Sequence, residues 1–229
     1  MRASSRAFSR GYIGAMAAFA GAGIMMAALY APVDEHMGTV QKLVYLHVPA
    51  AIASFFCALG VFVGSIAFLW SRDSRWDNSA RRASVWAVVF SAIVLITGMI
   101  WGQVVWGYWW TWSPRLTFTL LMFVVYVGYL ALRSMVRDRE RREVAAAVYG
   151  LIAFLDVPLL YLSARLLPDI HPTSIPLTDP MRVTLAVCMT PFAMALLWLI
   201  ASPWVGSRPA PTEPGGAGAP AGRNRHQAA

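Results

Sequence analysis

Six apolar stretches constrain this chain more than any other feature. They cover residues 12–31, 43–70, 83–101, 116–132, 144–167 and 183–201. The hydrocarbon core of a bilayer needs ~20 predominantly apolar residues per helix, and each stretch is near or above that length. Charged residues are only 13% of the 229. An average soluble domain carries ~25%, so this chain lacks the polar residues to cover a water-exposed surface. A soluble domain, a disordered chain and a disulfide scaffold are excluded on that ground. The fold class is all-α: a polytopic membrane protein with six transmembrane helices.

The first apolar stretch follows Arg2, Arg6 and Arg10 and superficially resembles a signal peptide. Its apolar core exceeds the usual ~7–15 residues and no clear A-x-A site precedes a soluble domain, so it reads as a retained helix. The arginines set the expected topology. Arg2, Arg6 and Arg10 precede the first helix. Arg72, Arg75, Arg81 and Arg82 follow the second, and Arg133, Arg137, Arg139, Arg141 and Arg142 follow the fourth. Arg208, Arg223 and Arg225 follow the sixth, which leaves only Lys42, Arg115, Arg165 and Arg182 for the other side. Basic residues collect on the cytoplasmic side, so both termini are expected there. Three outer connections then cover residues 31–42, 102–115 and 168–182. The net charge of +8 follows from topology and calls for no nucleic acid.

Three domains are expected. Residues 1–11 form a cytoplasmic N-terminal segment and 12–201 the six-helix membrane domain. Residues 202–229 form a cytoplasmic tail, Pro-, Gly- and Ala-rich from Ser207 onward and expected to be disordered. The stretches 72–82 and 133–143 read as polar turns. There is no Walker A, HExxH or GxGxxG motif. The chain is therefore expected not to be an enzyme, and any ATP hydrolysis would fall to a separate subunit. Cys57 and Cys188 both lie in apolar runs and read as buried small residues. No C-x-x-C-H is present.

Chemistry converges on the predicted outer face. His47 lies about one turn into the second helix, where an ionisable side chain is costly and marks function; the bland alternative is a bond to a neighbouring carbonyl. His171 sits beyond the fifth helix between Pro168 and Pro172, which stiffen its backbone; alternatively it is a solvated loop residue. Five of the ten tryptophans, Trp101, Trp106, Trp109, Trp110 and Trp112, crowd one outer loop. An interfacial aromatic belt spreads tryptophans over helix ends, as Trp70, Trp76, Trp198 and Trp204 do. Five in one loop point to a platform for a flat aromatic ligand. Two histidines on separate segments suit bis-axial ligation of a haem iron, and Arg115, Arg165 or Arg182 suit its propionates. Zinc usually takes three or four ligands, and only two face outward here. Asp156 falls mid-membrane, either as a polar helix contact or on a ligand route.

The run Trp106-Gly107-Tyr108-Trp109-Trp110-Thr111-Trp112-Ser113-Pro114-Arg115-Leu116-Thr117 resembles the tryptophan-rich signature of the haem-handling superfamily of cytochrome c biogenesis. Within it, the chain is similar to the haem exporter protein C (cytochrome c maturation protein C) family. The stretch 42–51 around His47 resembles that family's first histidine motif. The stretch 154–163, followed by His171-Pro172, resembles its second, so the resemblance spans about 40–198. It implies His47 and His171 as axial ligands of haem b, most readily ferric. It implies Trp106, Trp109, Trp110, Trp112 and Arg115 as haem contacts, and Trp101, of the same tryptophan cluster, is a further candidate contact.

The resemblance further implies a bacterial cytoplasmic (inner) membrane protein with its haem site facing the periplasm. Such a protein hands haem to a membrane-anchored chaperone, cytochrome c maturation protein E. It works in an ABC-type complex with the ATP-binding A subunit, the membrane B subunit and the small D subunit. Two positions depart from the pattern. The signature carries aspartate where this chain has Ser113, so no carboxylate role carries over there. Tryptophans of the second motif are Leu166 and Leu167 here. The competing readings are a haem lyase of the same superfamily, a small permease with an aromatic gate, and a structural membrane subunit.

Overall fold

The computed structural model describes residues 2–171 and 176–201. They form seven α-helices: α1 (Arg2–Met25), α2 (Val44–Ser71), α3 (Ser74–Trp106), α4 (Pro114–Met135), α5 (Arg139–Ala153), α6 (Asp156–Leu166) and α7 (Asp179–Ala201). A π-turn over Met26–Tyr30 closes α1, and a 3₁₀ turn over Thr39–Leu43 leads into α2. No strand forms among the described residues beyond one isolated bridge between Asp34 and Gly38. Six spans are long and apolar enough to cross a bilayer, with α5 and α6 together making the fifth. The protein is a multi-pass helical membrane protein.

The α2–α3 contact is built from small residues and the exterior from large apolar ones. Along α2, Ala50, Ala53, Cys57, Ala58 and Val61 are buried, while Phe56, Leu59, Val63 and Ile66 are exposed. Lipid tails are as apolar as leucine, so burying large side chains gains little. Close backbone approach through small residues is what drives helix association in a bilayer. The α2–α3 pair shows this directly. A Cβ placed on Gly64 would lie 3.1 Å from both the Ala80 Cβ and the Trp76 carbonyl oxygen. Around this pair, α7 and α5 pack on α2, and α4 packs on α3, α5 and α6. The first helix rests chiefly on α7.

Several boundaries differ from the sequence expectation. The third helix begins at Ser74 and ends at Trp106. Residues 72–82 are therefore not a turn: only Arg72 and Asp73 separate α2 from α3. Asp73 caps α3 by accepting from the Arg75 N–H at 2.9 Å. The Arg75 guanidinium also donates to it, and both bonds hold the Asp73 carboxyl below its usual range. At 33 residues α3 is about 50 Å long, well beyond a hydrocarbon core of about 30 Å. It thus carries Arg75–Arg82 at one end and Trp101–Trp106 at the other. The first helix begins at Arg2 rather than at Tyr12. The fifth span breaks at Phe154–Leu155, just before Asp156 and Pro158. The expected tail at 202–229 lies outside the described residues.

The alternation of the six spans puts residues 31–38, 107–113, 167–171 and 176–178 at one end of the bundle. The arginine-rich connections gather at the other.

Candidate functional site

His47 is presented by the opening turn of α2, behind the 3₁₀ turn of residues 39–43. Its Nδ1 lies 2.8 Å from the Thr97 Oγ1 on α3. The Thr97 hydroxyl donates to the Ile93 carbonyl at 2.6 Å. With its proton used there, Thr97 accepts from an Nδ1–H of His47. The lone pair of His47 then falls on Nε2. The partner is a side chain on another helix, not a neighbouring carbonyl.

His171 follows α6 and is half-buried. Asp169 holds this segment with both carboxylate oxygens. Its Oδ1 accepts from the His171 N–H and its Oδ2 from the Arg115 N–H, each at 2.8 Å. Arg115 is the second residue of α4, where a helix presents an unsatisfied N–H. The N-cap, Ser113, makes no side-chain cap bond, and its Oγ is buried without a partner among the described residues. Asp169 thus supplies from another loop the carboxylate cap that Ser113 does not provide. The Arg115 Nη1 in turn donates to the His171 Nδ1 at 2.6 Å.

These contacts bring the two histidine rings to a centroid separation of 6.3 Å, with an interplanar angle of 28°.

The tryptophans divide into two sets. Trp101 and Trp106 close α3 and meet edge-to-face at 4.9 Å. Both rings approach His171, at 6.4 and 6.3 Å. Gly107 then ends α3 at φ +80°, a left-handed conformation that glycine adopts without strain, and turns the chain out of the helix. Trp110 lines the same cavity as Trp101, Trp106, His47, His171 and Arg115. Trp112 meets Trp110 edge-on but is 75% exposed, and Trp109 is 59% exposed. Neither lines the cavity.

Three residues that the sequence reading passed over belong to the site. Thr97 and Asp169 orient the histidines. Gln41 is buried at the cavity wall with its Oε1 unpartnered among the described residues. Asp169-Ile170-His171 is an Asx-type turn, a signal legible in the sequence. Thr97 and Gln41 carry no comparable local sign. The cavity is lined mainly by apolar atoms and encloses about 120 Å³, against roughly 300–1,000 Å³ for typical small-molecule sites. That volume is too small to enclose a large planar ligand whole. Among the described residues, no group of three or more His, Cys, Asp or Glu forms a metal cage.

A six-span helical bundle with paired imidazoles and indoles at one end defines a class of multi-pass membrane protein with a histidine–tryptophan pocket near its boundary. Comparison with known families narrows that class. The family model described as "Heme exporter protein C" matches residues 2–206, and the chain belongs to this family. It is 31% identical over 191 residues to the "Heme exporter protein C" of Haemophilus influenzae, covering 78% of this chain and 76% of that protein. It is 34% identical over 149 residues to the Bradyrhizobium diazoefficiens protein of the same name, covering 65% and 56%. With that of Paracoccus denitrificans it shares 39% over 124 residues, covering 54% and 50%. The matched stretch thus spans about half to three quarters of these relatives.

Proposed function

We propose that this chain holds haem, as cargo rather than as a resident cofactor, at the outer face of a bacterial cytoplasmic membrane. It passes that haem to a membrane-anchored haem chaperone of cytochrome c maturation. The observation that carries the reading is that His47 and His171, from separate segments, line one cavity together with Trp101, Trp106, Trp110 and Arg115. Family membership supports the haem-export role.

In this reading the porphyrin enters edge first between Trp106 and the outer end of α2. His47 offers its Nε2 lone pair, held in that tautomer by Thr97. An arginine can only donate, so the Arg115 bond to His171 occupies the lone pair of Nδ1. An incoming propionate is the stronger partner for a guanidinium, being charged and open to bidentate contact. Drawing Arg115 onto the propionate releases that nitrogen and lets His171 turn to the iron. Arg115 thereby couples recognition of the haem edge to ligation of its centre. Trp101 and Trp110 cover the ring, while the exposed Trp109 and Trp112 present an aromatic surface to the chaperone. Bis-imidazole ligation suits ferric haem b and leaves no open site for oxygen. The chain makes no covalent bond itself. ATP hydrolysis falls to the A subunit, with the B and D subunits completing the complex.

The test is the absorption spectrum of the purified protein after haem supplementation. A bis-histidine Soret spectrum is expected, and His47→Ala and His171→Ala each shift or abolish it. Unchanged spectra in both variants would refute the ligand assignment. A protein that takes up no haem favours the permease or the structural subunit. Covalent transfer of haem to apocytochrome by this chain alone favours the lyase.

A further inference from the structure

The arginine-rich end of the bundle holds a second cavity, of about 520 Å³, that haem handling does not use. Its wall is formed by Asp77, Arg81, Arg133, Arg139, Arg142 and Glu143 from the adjoining ends of α3, α4 and α5. Both carboxylates are already engaged. Asp77 accepts from the Arg133 Nη1 and Nη2 at 2.6 and 2.7 Å, with side chains only 5% and 8% exposed. Glu143 accepts from the Arg139 Nε at 2.8 Å and from the Ser74 hydroxyl at 3.0 Å. That leaves two guanidinium groups facing the cavity without a carboxylate among the described residues. Among the described residues Arg142 reaches only the Val136 carbonyl, at 3.5 Å, and Arg81 is exposed.

A concavity with two guanidinium groups that lack a carboxylate among the described residues suits a tetrahedral oxyanion. Guanidinium donors match phosphate oxygens in pairs. Basic pockets between helix ends at the membrane surface capture lipid headgroups by the same chemistry. We infer that this cavity binds a phosphate group, with Arg81 and Arg142 as its ligands and the Asp77–Arg133 and Glu143–Arg139 pairs as its frame. Its natural source, at the end of a membrane bundle, is the phosphodiester of an anionic lipid. The inference is independent of the haem reading.

The experiment uses the full-length protein in detergent. Native mass spectrometry compares retained phosphatidylglycerol with phosphatidylcholine. A parallel thermal-shift arm adds inorganic phosphate against chloride at equal ionic strength. Preferential retention of phosphatidylglycerol is expected, weakened about fivefold per arginine in R81Q/R142Q. The control R72Q/R137Q removes the same charge outside the cavity and retains the lipid. A phosphate-induced shift lost in R81Q/R142Q, without lipid preference, upholds the site and assigns it a soluble phosphate. Equal retention of the two lipids by the parent protein, with no phosphate shift, overturns the inference whether or not the variant folds. Equal losses in the two double variants overturn it as well.

Discussion

Replacing Thr97 with valine isolates one hydrogen bond of the proposed haem site. Valine keeps the volume and branching of threonine, so no cavity opens at this buried position. What disappears is the acceptor 2.8 Å from the His47 Nδ1. The ring loses the contact that fixes its tautomer and orientation, and its Nδ1–H is left unpaired in a half-buried setting. Removing such an outer partner of a metal-ligating histidine costs about 10–100-fold in affinity, or about 1.4–2.7 kcal/mol. Leaving a buried donor unsatisfied costs about 1–3 kcal/mol, in the same range. The assay is a Soret titration of purified protein with hemin at fixed detergent. T97V is expected to raise the Kd about 10–100-fold. T97S, which keeps the hydroxyl, stays within about threefold of the parent. The apoprotein is expected to melt somewhat below the parent, because the same donor is unpaired without haem. A T97V Kd within about twofold of the parent would refute the tautomer argument, provided H47A still abolishes binding.

Four further outcomes follow from other parts of the structure. Asp169→Ala removes the carboxylate cap shared by the Arg115 and His171 N–H groups and should cost about 1 kcal/mol of thermal stability while shifting the Soret band. Ser113→Asp in that background should recover part of the stability, read by melting in detergent, because it restores a carboxylate at the N-cap itself. Asp77→Ala strands the Arg133 guanidinium in the bundle and should destabilise by about 3–5 kcal/mol, whereas D77L/R133M should lose much less in the same melt. Asp156 is 5% exposed with both carboxylate oxygens unpartnered among the described residues, so Asp156→Leu breaks no hydrogen bond and should leave the melt unchanged or raise it. A large loss in D156L would show a partner that the carboxyl finds in the membrane.

The fold class was legible because lipid leaves few options. A backbone crossing hydrocarbon must satisfy its own hydrogen bonds, so six apolar runs mean six helical spans. Helix ends were less legible. Polar residues 74–82 looked like a turn, yet Asp73 caps them into α3 and Asp77 gains a partner on α4. Pro158 implies a bend in the fifth span, and the break at Phe154–Leu155 falls where that proline has no N–H to give the Phe154 carbonyl. The site was legible in kind and not in membership. Histidines and tryptophans stand out in an apolar chain, whereas Thr97 and Gln41 look like ordinary helix residues.

By itself, then, the sequence determined that this is a six-span membrane protein, that two histidines and five tryptophans converge on one end, and that arginines crowd the other. Periodicity and transfer cost act locally along the chain, so those properties can be read from it. Only the tertiary structure decided which groups touch. It brought His47 and His171 to 6.3 Å, turned Trp109 and Trp112 outward, and let Asp169 cap α4 in place of Ser113. Those contacts join residues about 50 to 125 positions apart in the chain. Distances of that kind are set by how small residues let the helices approach, which no local pattern encodes.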